Sequence, residues 1–325
     1  MNKEGHGTKD IPPSKKKKRG KNHNPPDSDS HSKRSSRSSS SSAKGMRPLT
    51  VNTPVFRDVK HSTLNQIVYD ELQIWNIRGV KGPDKQLHLK AFLQRHKPLL
   101  VSLLETKLDD SSLSILQRKL GFYPSFIAAP EARICLLWHP DQIEVQVIES
   151  SRQHLHCSVL YKQSNEKILV TSIYASNSSA ERQDLWATIK RISGSVGNRC
   201  WIVGGDFNEV RFSHEKVGGH PVHSRRLRRF NSCLLHSGIE DLRSIGHTMS
   251  WSNHQDNRIT CRLDRVLGNQ AYISTYPYSV VEYLPPGISD HSPMKVISTP
   301  LLPSGPRPFK YFEAWEASPP LSYGP

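Results

Sequence analysis

Six short polar clusters follow one another along the chain: Asn76; Glu105; Tyr174 with Asn177; Asp206 with Asn208; Asp264; and Asp290 with His291. Each lies just after, or at the edge of, an apolar, strand-like run. Strand ends on a rigid sheet hold side chains at fixed separations, as a catalytic constellation requires. Carboxylates, amides and a histidine gathered in one cleft would be electrostatically unfavourable without a counter-charge. A divalent cation supplies it, and oxygen-rich ligands select Mg²⁺ or Mn²⁺ over zinc. Such a set suits phosphodiester hydrolysis, which needs an in-line water, neutralisation of the phosphoryl oxygens and help for the leaving oxygen.

Taken singly, each residue has a plainer reading. Asn76 could close a strand-end turn, Glu105 could be a surface charge at a helix start, and Tyr174 could be core. Gly-Asp-Phe-Asn at 205–208 could be an ordinary turn, and Ser-Asp-His-Ser-Pro at 289–293 an Asx-type turn before a strand. The order and placement of all six clusters favour a site. His220-Pro-Val-His223 also has a metal-pair spacing, but it sits in a loop without partner ligands and is read as structural.

The elements that must position these residues are legible as apolar periodicity. Leu72 to Ile77 alternates as a strand ending at Arg78-Gly79, and Leu99 to Leu104 is a short buried run that delivers Glu105. Further strand-like runs fall at Phe126–Ala129, Ile134–Trp138, Ile143–Ile148, Leu155–Tyr161, Ile168–Tyr174 and Cys200–Gly205. Four more follow at Met249–Ser252, Thr260–Leu267, Ser279–Leu284 and Met294–Ser298. Helical spacing marks Lys85–His96, stopped by Pro98, then Ser179–Ile192, with Ser178 or Ser179 as cap, and Arg225–His236. Many strands, few helices and hairpin-like pairs predict an α/β fold of two packed mixed β-sheets flanked by helices.

Composition sets the frame around that domain. The chain has 325 residues and a formal charge of +16, with 13 Lys and Arg against 4 Asp and Glu in residues 1–47 and 32 against 25 in the rest. The excess favours polyanions through long-range attraction and counterion release. Residues 1–66, with the run Lys15 to Lys21 and a Ser/Arg tract, bury too little apolar surface to fold and read as a basic disordered tail. Residues 67–300 form the domain, and residues 301–325 are a proline-rich segment with an aromatic cluster. The lysine run fits a nuclear-import signal, or a nonspecific nucleic-acid contact, and the expected location is the nucleus, otherwise the cytoplasm. Five scattered cysteines without a C-x-x-C pair argue against a disulfide framework and a zinc site. No apolar run reaches the roughly 18–20 residues of a membrane span, and no secretory leader is visible. DNA or RNA is the expected partner, without a membrane and without an obligate protein partner.

Trp-Asn-Ile-Arg-Gly at 75–79, Glu-Thr-Lys at 105–107, Ile-Tyr-Ala-Ser-Asn at 173–177, Gly-Asp-Phe-Asn at 205–208, Arg-Leu-Asp-Arg at 262–265 and Ser-Asp-His-Ser-Pro at 289–293 resemble the motif series of the endonuclease/exonuclease/phosphatase superfamily. Within it, Gly-Gly-Asp-Phe-Asn-Glu-Val at 204–210 and Cys-Arg-Leu-Asp-Arg-Val-Leu-Gly-Asn at 261–269 look most like endonuclease domains of plant non-LTR (LINE-type) retrotransposons. The resemblance implies a four-layer, DNase I-like α/β sandwich and Mg²⁺-dependent nicking of DNA. It also implies roles: Asn76, Glu105 and Asp290 at the metal; Asp206, beside Asn208, activating water; Tyr174 and Asn177 at the scissile phosphate; Asp264 orienting His291. A carboxylate beside an imidazole fixes its tautomer and raises its pKa, and Asp206 and His291 both stay open as general base. Where relatives carry Gly-Gly before the strand ending Leu-Trp, this chain has Ala132-Arg133, and it ends before any reverse transcriptase. Two further readings therefore stand beside the nuclease: an inactive nucleic-acid-binding relic, and a phosphomonoesterase of the same fold acting on inositol phosphates or lipids.

Overall fold

The computed structural model describes residues 69–299. The basic tail expected at 1–66, with its import signal, and the proline-rich segment at 301–325 lie outside the described residues. The chain runs through β1 (Tyr69–Asn76), α1 (Pro83–His96), β2 (Leu100–Leu104), α2 (Asp110–Leu120), β3 (Ser125–Ala128) and β4 (Ile134–Trp138). Next come β5 (Ile143–Ser150), β6 (His154–Tyr161), β7 (Glu166–Tyr174), α3 (Glu181–Val196), β8 (Trp201–Asp206), β9 (Lys216–Val217) and α4 (Ser224–Ser237). The last stretch holds β10 (Ile239–Asp241), β11 (Ser244–Gly246), β12 (Trp251–Ser252), β13 (Thr260–Cys261), β14 (Asp264–Asn269), α5 (Gln270–Thr275), β15 (Val280–Tyr283) and β16 (Met294–Ser298).

Two large mixed sheets result, in the orders β11-β15-β16-β1-β2-β4-β3 and β10-β14-β8-β7-β6-β5, with a small third sheet β12-β13-β9. Alternate side chains of a strand point to opposite faces, and both faces of each large sheet are covered. Leu72, Ile74, Leu100 and Leu104 join Val170, Ile202 and Val266 in the core between the sheets. Their neighbours Trp75, Val101 and Leu103 pack under α1 and α2 with Leu89, Leu93, Leu113 and Leu116. On the far side, Trp201 and Val203 pack with Leu185, Ile189 and Phe230 of α3 and α4. The four-layer sandwich expected from the resemblance is thus the observed one.

Local chemistry explains most helix ends. Helix α1 starts with Pro83 in its first turn and stops at Lys97, a left-handed residue whose N–H donates to the Leu93 carbonyl. Helix α2 was not among the sequence-read elements, although Asp109 caps it through Ser112 N–H, Leu113, Leu116 and Leu120 line its buried face, and Gly121 closes it. Helix α3 runs to Val196, beyond the expected Ile192, and its N-cap is Ala180 rather than Ser178 or Ser179. The expected strand Thr260–Leu267 is broken into β13 and β14. That break turns Asp264 into the first residue of a central strand.

The two glycines before Asp206 are fixed by crowding. A Cβ on Gly204 would lie 2.4 Å from Ile74 Cδ1 of the facing sheet. Gly205 has φ +148°, and a Cβ there would fall 1.9 Å from the Ile173 carbonyl oxygen.

Candidate active site

Both sheets deliver their chemistry at one end of the sandwich. Parallel pairing puts Tyr174 at the end of β7 level with Asp206 at the end of β8. Antiparallel pairing sets Asp264 opposite Asp206. In the other sheet, Asn76 ends β1 level with Leu104 of β2, so Glu105 emerges beside it.

The centre is a buried acid–histidine group. Asp206, Asp264 and His291 are each no more than 2 % exposed. His291 Nδ1 lies 2.8 Å from Asp264 Oδ2, while its Nε2 is 3.9 Å from Asp206 Oδ2. Asn76 Nδ2 donates to the same Asp206 oxygen at 2.9 Å, and Asn208 N–H donates to Asp206 Oδ1 at 2.9 Å. Ser250 Oγ accepts the N–H of Asp264, and Asp264 Oδ1 is buried with no partner among the described residues.

Burial works against charge on His291, but Asp264, at hydrogen-bond distance, and then Asp206 and Asp290 outweigh it and lift the imidazole pKa well above its usual range. Asp206 is raised too: burial first, then the neighbouring Asp264, disfavour its carboxylate against the help of His291. Burial and the Glu105 carboxylate, which its hydroxyl meets, push the Tyr174 phenol up, so that it is a proton donor.

A second acidic pair faces the mouth. Glu105, with φ +52°, and Asp290 both turn toward the Arg78 guanidinium, whose Nε is 3.8 Å from Glu105 Oε2 and 3.6 Å from Asp290 Oδ1. Lys107 Nζ adds a contact at 2.9 Å to Glu105 Oε1. Trp251 Nε1 donates to Asp290 Oδ2 at 2.8 Å and orients it. Asp206, Asp264 and His291 also lie close enough together to be considered as a cation site. Nδ1 of His291 is already committed to Asp264, which makes that trio a hydrogen-bonded dyad with a third acid beside it. The Glu105–Asp290 pair, carboxylate only and drawing two cationic side chains to itself, fits a hard divalent ion better.

Of the residues expected at the site, Asn76, Glu105, Tyr174, Asp206, Asp264, Asp290 and His291 converge. Asn76, expected with the metal group, hydrogen-bonds to Asp206, and its Oδ1 accepts Arg78 N–H at 3.0 Å. The side-chain amide of Asn208 donates to the Ala175 carbonyl at 2.7 Å, so it braces the two loops. Asn177 is exposed; its backbone carbonyl, not its amide, is tied in, by Arg182 Nη1 at 2.9 Å.

Sequence reasoning missed Arg78, Lys107, Trp251 and the buried Arg182. Arg182 Nη2 reaches Glu209 at 2.8 Å and so ties the loop after β7 to the loop after β8. Arg78 and Lys107 stand two residues beyond Asn76 and Glu105 inside the recognised motifs. Arg182 carried no signal, since an arginine early in a helix reads as solvated.

Sheets and site together define a DNase I-like fold with an acid–histidine cluster at its sheet ends. The chain belongs to the endonuclease/exonuclease/phosphatase family, whose pattern matches residues 74–291, about two thirds of its length. Members of this family are hydrolytic nucleases and phosphatases, and its nucleases generally use a divalent metal. Among solved structures, the chain is similar to the endonuclease domain of TRAS1, a telomere-specific non-LTR retrotransposon, at 14 % identity and a TM-score of 0.53, covering 70 % of this chain and 97 % of that one. It is similar to the AP endonuclease LMAP from Leishmania major at 15 % identity and 0.55, covering 70 % and 87 %. A humanized TDP2 from D. rerio follows at 15 % and 0.51, covering 70 % and 97 %. No match was found among curated proteins.

Proposed function

We propose that the chain is a Mg²⁺-dependent endonuclease that nicks DNA, of the kind that plant non-LTR retrotransposons encode. The observation that carries this reading is the buried Asp264–His291 dyad set 3.9 Å from Asp206 at the mouth shared by both sheets. The likeness to the TRAS1 endonuclease domain and the motif series support the origin. Arg225, Arg228 and Arg229, exposed on α4, favour a long polyanion over a small headgroup.

His291 stays protonated at neutral pH, so it is a donor to the phosphoryl oxygen rather than a base. Asp206, with its carboxylate disfavoured by burial, accepts the proton of the attacking water; a base works best with a pKa near the working pH. Asp264 holds the imidazolium in orientation, and the Tyr174 hydroxyl donates to the phosphate. Glu105 and Asp290 would hold Mg²⁺ (or Mn²⁺), which supplies charge neutralisation for the phosphate and the leaving oxygen.

Nicking of supercoiled plasmid is expected with Mg²⁺ and not with EDTA. A chain lacking residues 1–66 should keep that metal requirement but bind DNA with a flatter salt dependence. A folded protein that binds DNA and never nicks it would sink the enzyme reading in favour of a binding relic.

The pH profile of kcat/KM follows from the two shifted groups. Activity should rise as Asp206 releases its proton, above the ordinary carboxylate value of about 3.9, and fall as His291 loses its own, above the ordinary histidine value of about 6.5. The limbs belong to the coupled pair. An alkaline limb at or below the ordinary histidine value would contradict a protonated His291.

A further inference from the structure

Arg133 brings to the cleft a charge that the proposed mechanism does not use. It precedes β4, and its carbonyl accepts the N–H of Glu105 at 2.7 Å, so it flanks the acidic pair directly. The preceding Glu131 and Ala132 have φ +61° and +48°, left-handed values that L residues adopt at a penalty. Ala132 is nevertheless held there, its carbonyl accepting Thr106 Oγ1 at 2.7 Å.

This turn sends the Arg133 side chain from one sheet across to the other. The guanidinium lies over the Tyr174 ring, 5.0 Å from its centroid. Other cations at the mouth are engaged: Arg78 and Lys107 with acids, and Lys85 with the carbonyls of Ile77, Arg78 and Gly79. The Arg133 guanidinium has no hydrogen bond and no ion pair among the described residues. An arginine held over an aromatic ring by a cation–π contact can keep its in-plane donors free for a ligand.

We propose that Arg133 holds a non-bridging oxygen of the scissile phosphodiester, opposite the His291 side of the cleft. The inference rests on the nuclease reading given above. Stacking on Tyr174 fixes the guanidinium next to the phenol that meets the same phosphate. Two planar donors then oppose the charge that gathers on the phosphoryl oxygens during attack. The left-handed turn at 131–132 is the device that aims it.

The experiment compares the full chain with Arg133→Gln and Arg133→Lys in three measurements. These are plasmid nicking kinetics, thermal melting, and the salt dependence of binding to a duplex oligonucleotide in EDTA. Loss of a positioned donor to developing charge lowers kcat by about a hundred- to thousandfold, and Arg133→Gln should approach that range with its melting temperature unchanged. The slope of log K against log salt should also shrink by about 0.9, the value of one phosphate contact. Arg133→Lys should recover part of kcat and the whole slope.

Nicking and slope unchanged in Arg133→Gln would overturn the assignment while leaving the nuclease intact. So would a loss that appears in KM alone, or one with an unchanged slope that lysine does not restore; the latter would make Arg133 a packing partner of Tyr174. If the parent binds without nicking, the slope still decides for or against Arg133. A parent that neither binds nor nicks defeats the nuclease reading first, and the inference with it.

Discussion

Asp206→Asn is expected to lose about a hundred- to ten-thousandfold in kcat, the range for a removed general base, while melting no lower than the parent at neutral pH. The asparagine has the same shape, and its carbonyl oxygen can still accept from Asn76 Nδ2 or Asn208 N–H. The stability half follows from linkage. Asp206 has a folded pKa above its unfolded one, so between the two values the folded protein keeps a proton that the unfolded chain has released. Stability therefore falls as the pH rises through that window, and above it the buried carboxylate is a standing penalty. Asparagine does not titrate and removes it. Melting curves from about pH 4 to about pH 8, from the carboxylate range to neutrality, should show the variant gaining on the parent as pH rises. A variant that nicks within tenfold of the parent, as a rough threshold for a general-base role, would take the base assignment away from Asp206.

His291→Ala should lose both activity and stability. It removes the positive charge that faces Asp264 at 2.8 Å and Asp206 at 3.9 Å, and it strands buried carboxylates. Breaking a buried pair by deleting one partner costs about 3–5 kcal/mol. The loss of charge stabilisation at the phosphate adds about a hundredfold or more in kcat. The direction with pH is the same as for Asp206, because both folded pKa values are raised, but here what fades is a stabilising contribution rather than the onset of a penalty. His291 has a raised folded pKa, so its contribution is complete below the ordinary histidine value and fades as pH climbs through the raised one. Urea midpoints of parent and variant should therefore converge in alkali. Adding Asp264→Asn should restore part of the lost stability without restoring nicking, a coupling a double-mutant cycle measures. If His291→Ala melts with the parent near neutrality, the imidazole carries no counter-charge and the donor role fails.

Arg182 and Glu209, the Ser102–Ser172 hydroxyl pair between the sheets at 2.9 Å, and the Asn208–Ala175 bond hold the strand ends together. The fold thereby keeps two buried acids close to one histidine, an arrangement no packing argument would favour. On the proposed reading, stability is given up locally for a poised base, a trade that catalytic centres commonly show.

Local pattern determined a good deal of this. Alternation in Leu72–Ile77 and the buried run before Glu105 located strands because side-chain period is a local property. The Gly-Gly-Asp and Ser-Asp-His-Ser-Pro clusters marked strand ends for the same reason, and the order of all six motifs was enough to indicate the family. Tertiary structure alone decided which acid met which cation. Arg78 stands between Glu105 and Asp290, Asn76 serves Asp206, and Arg133 crosses from one sheet to lie on a tyrosine of the other. Those pairings join residues up to 212 positions apart, as Arg78 and Asp290 are. They are set by strand register and by the approach of two sheets, neither of which is written in any local window of the chain.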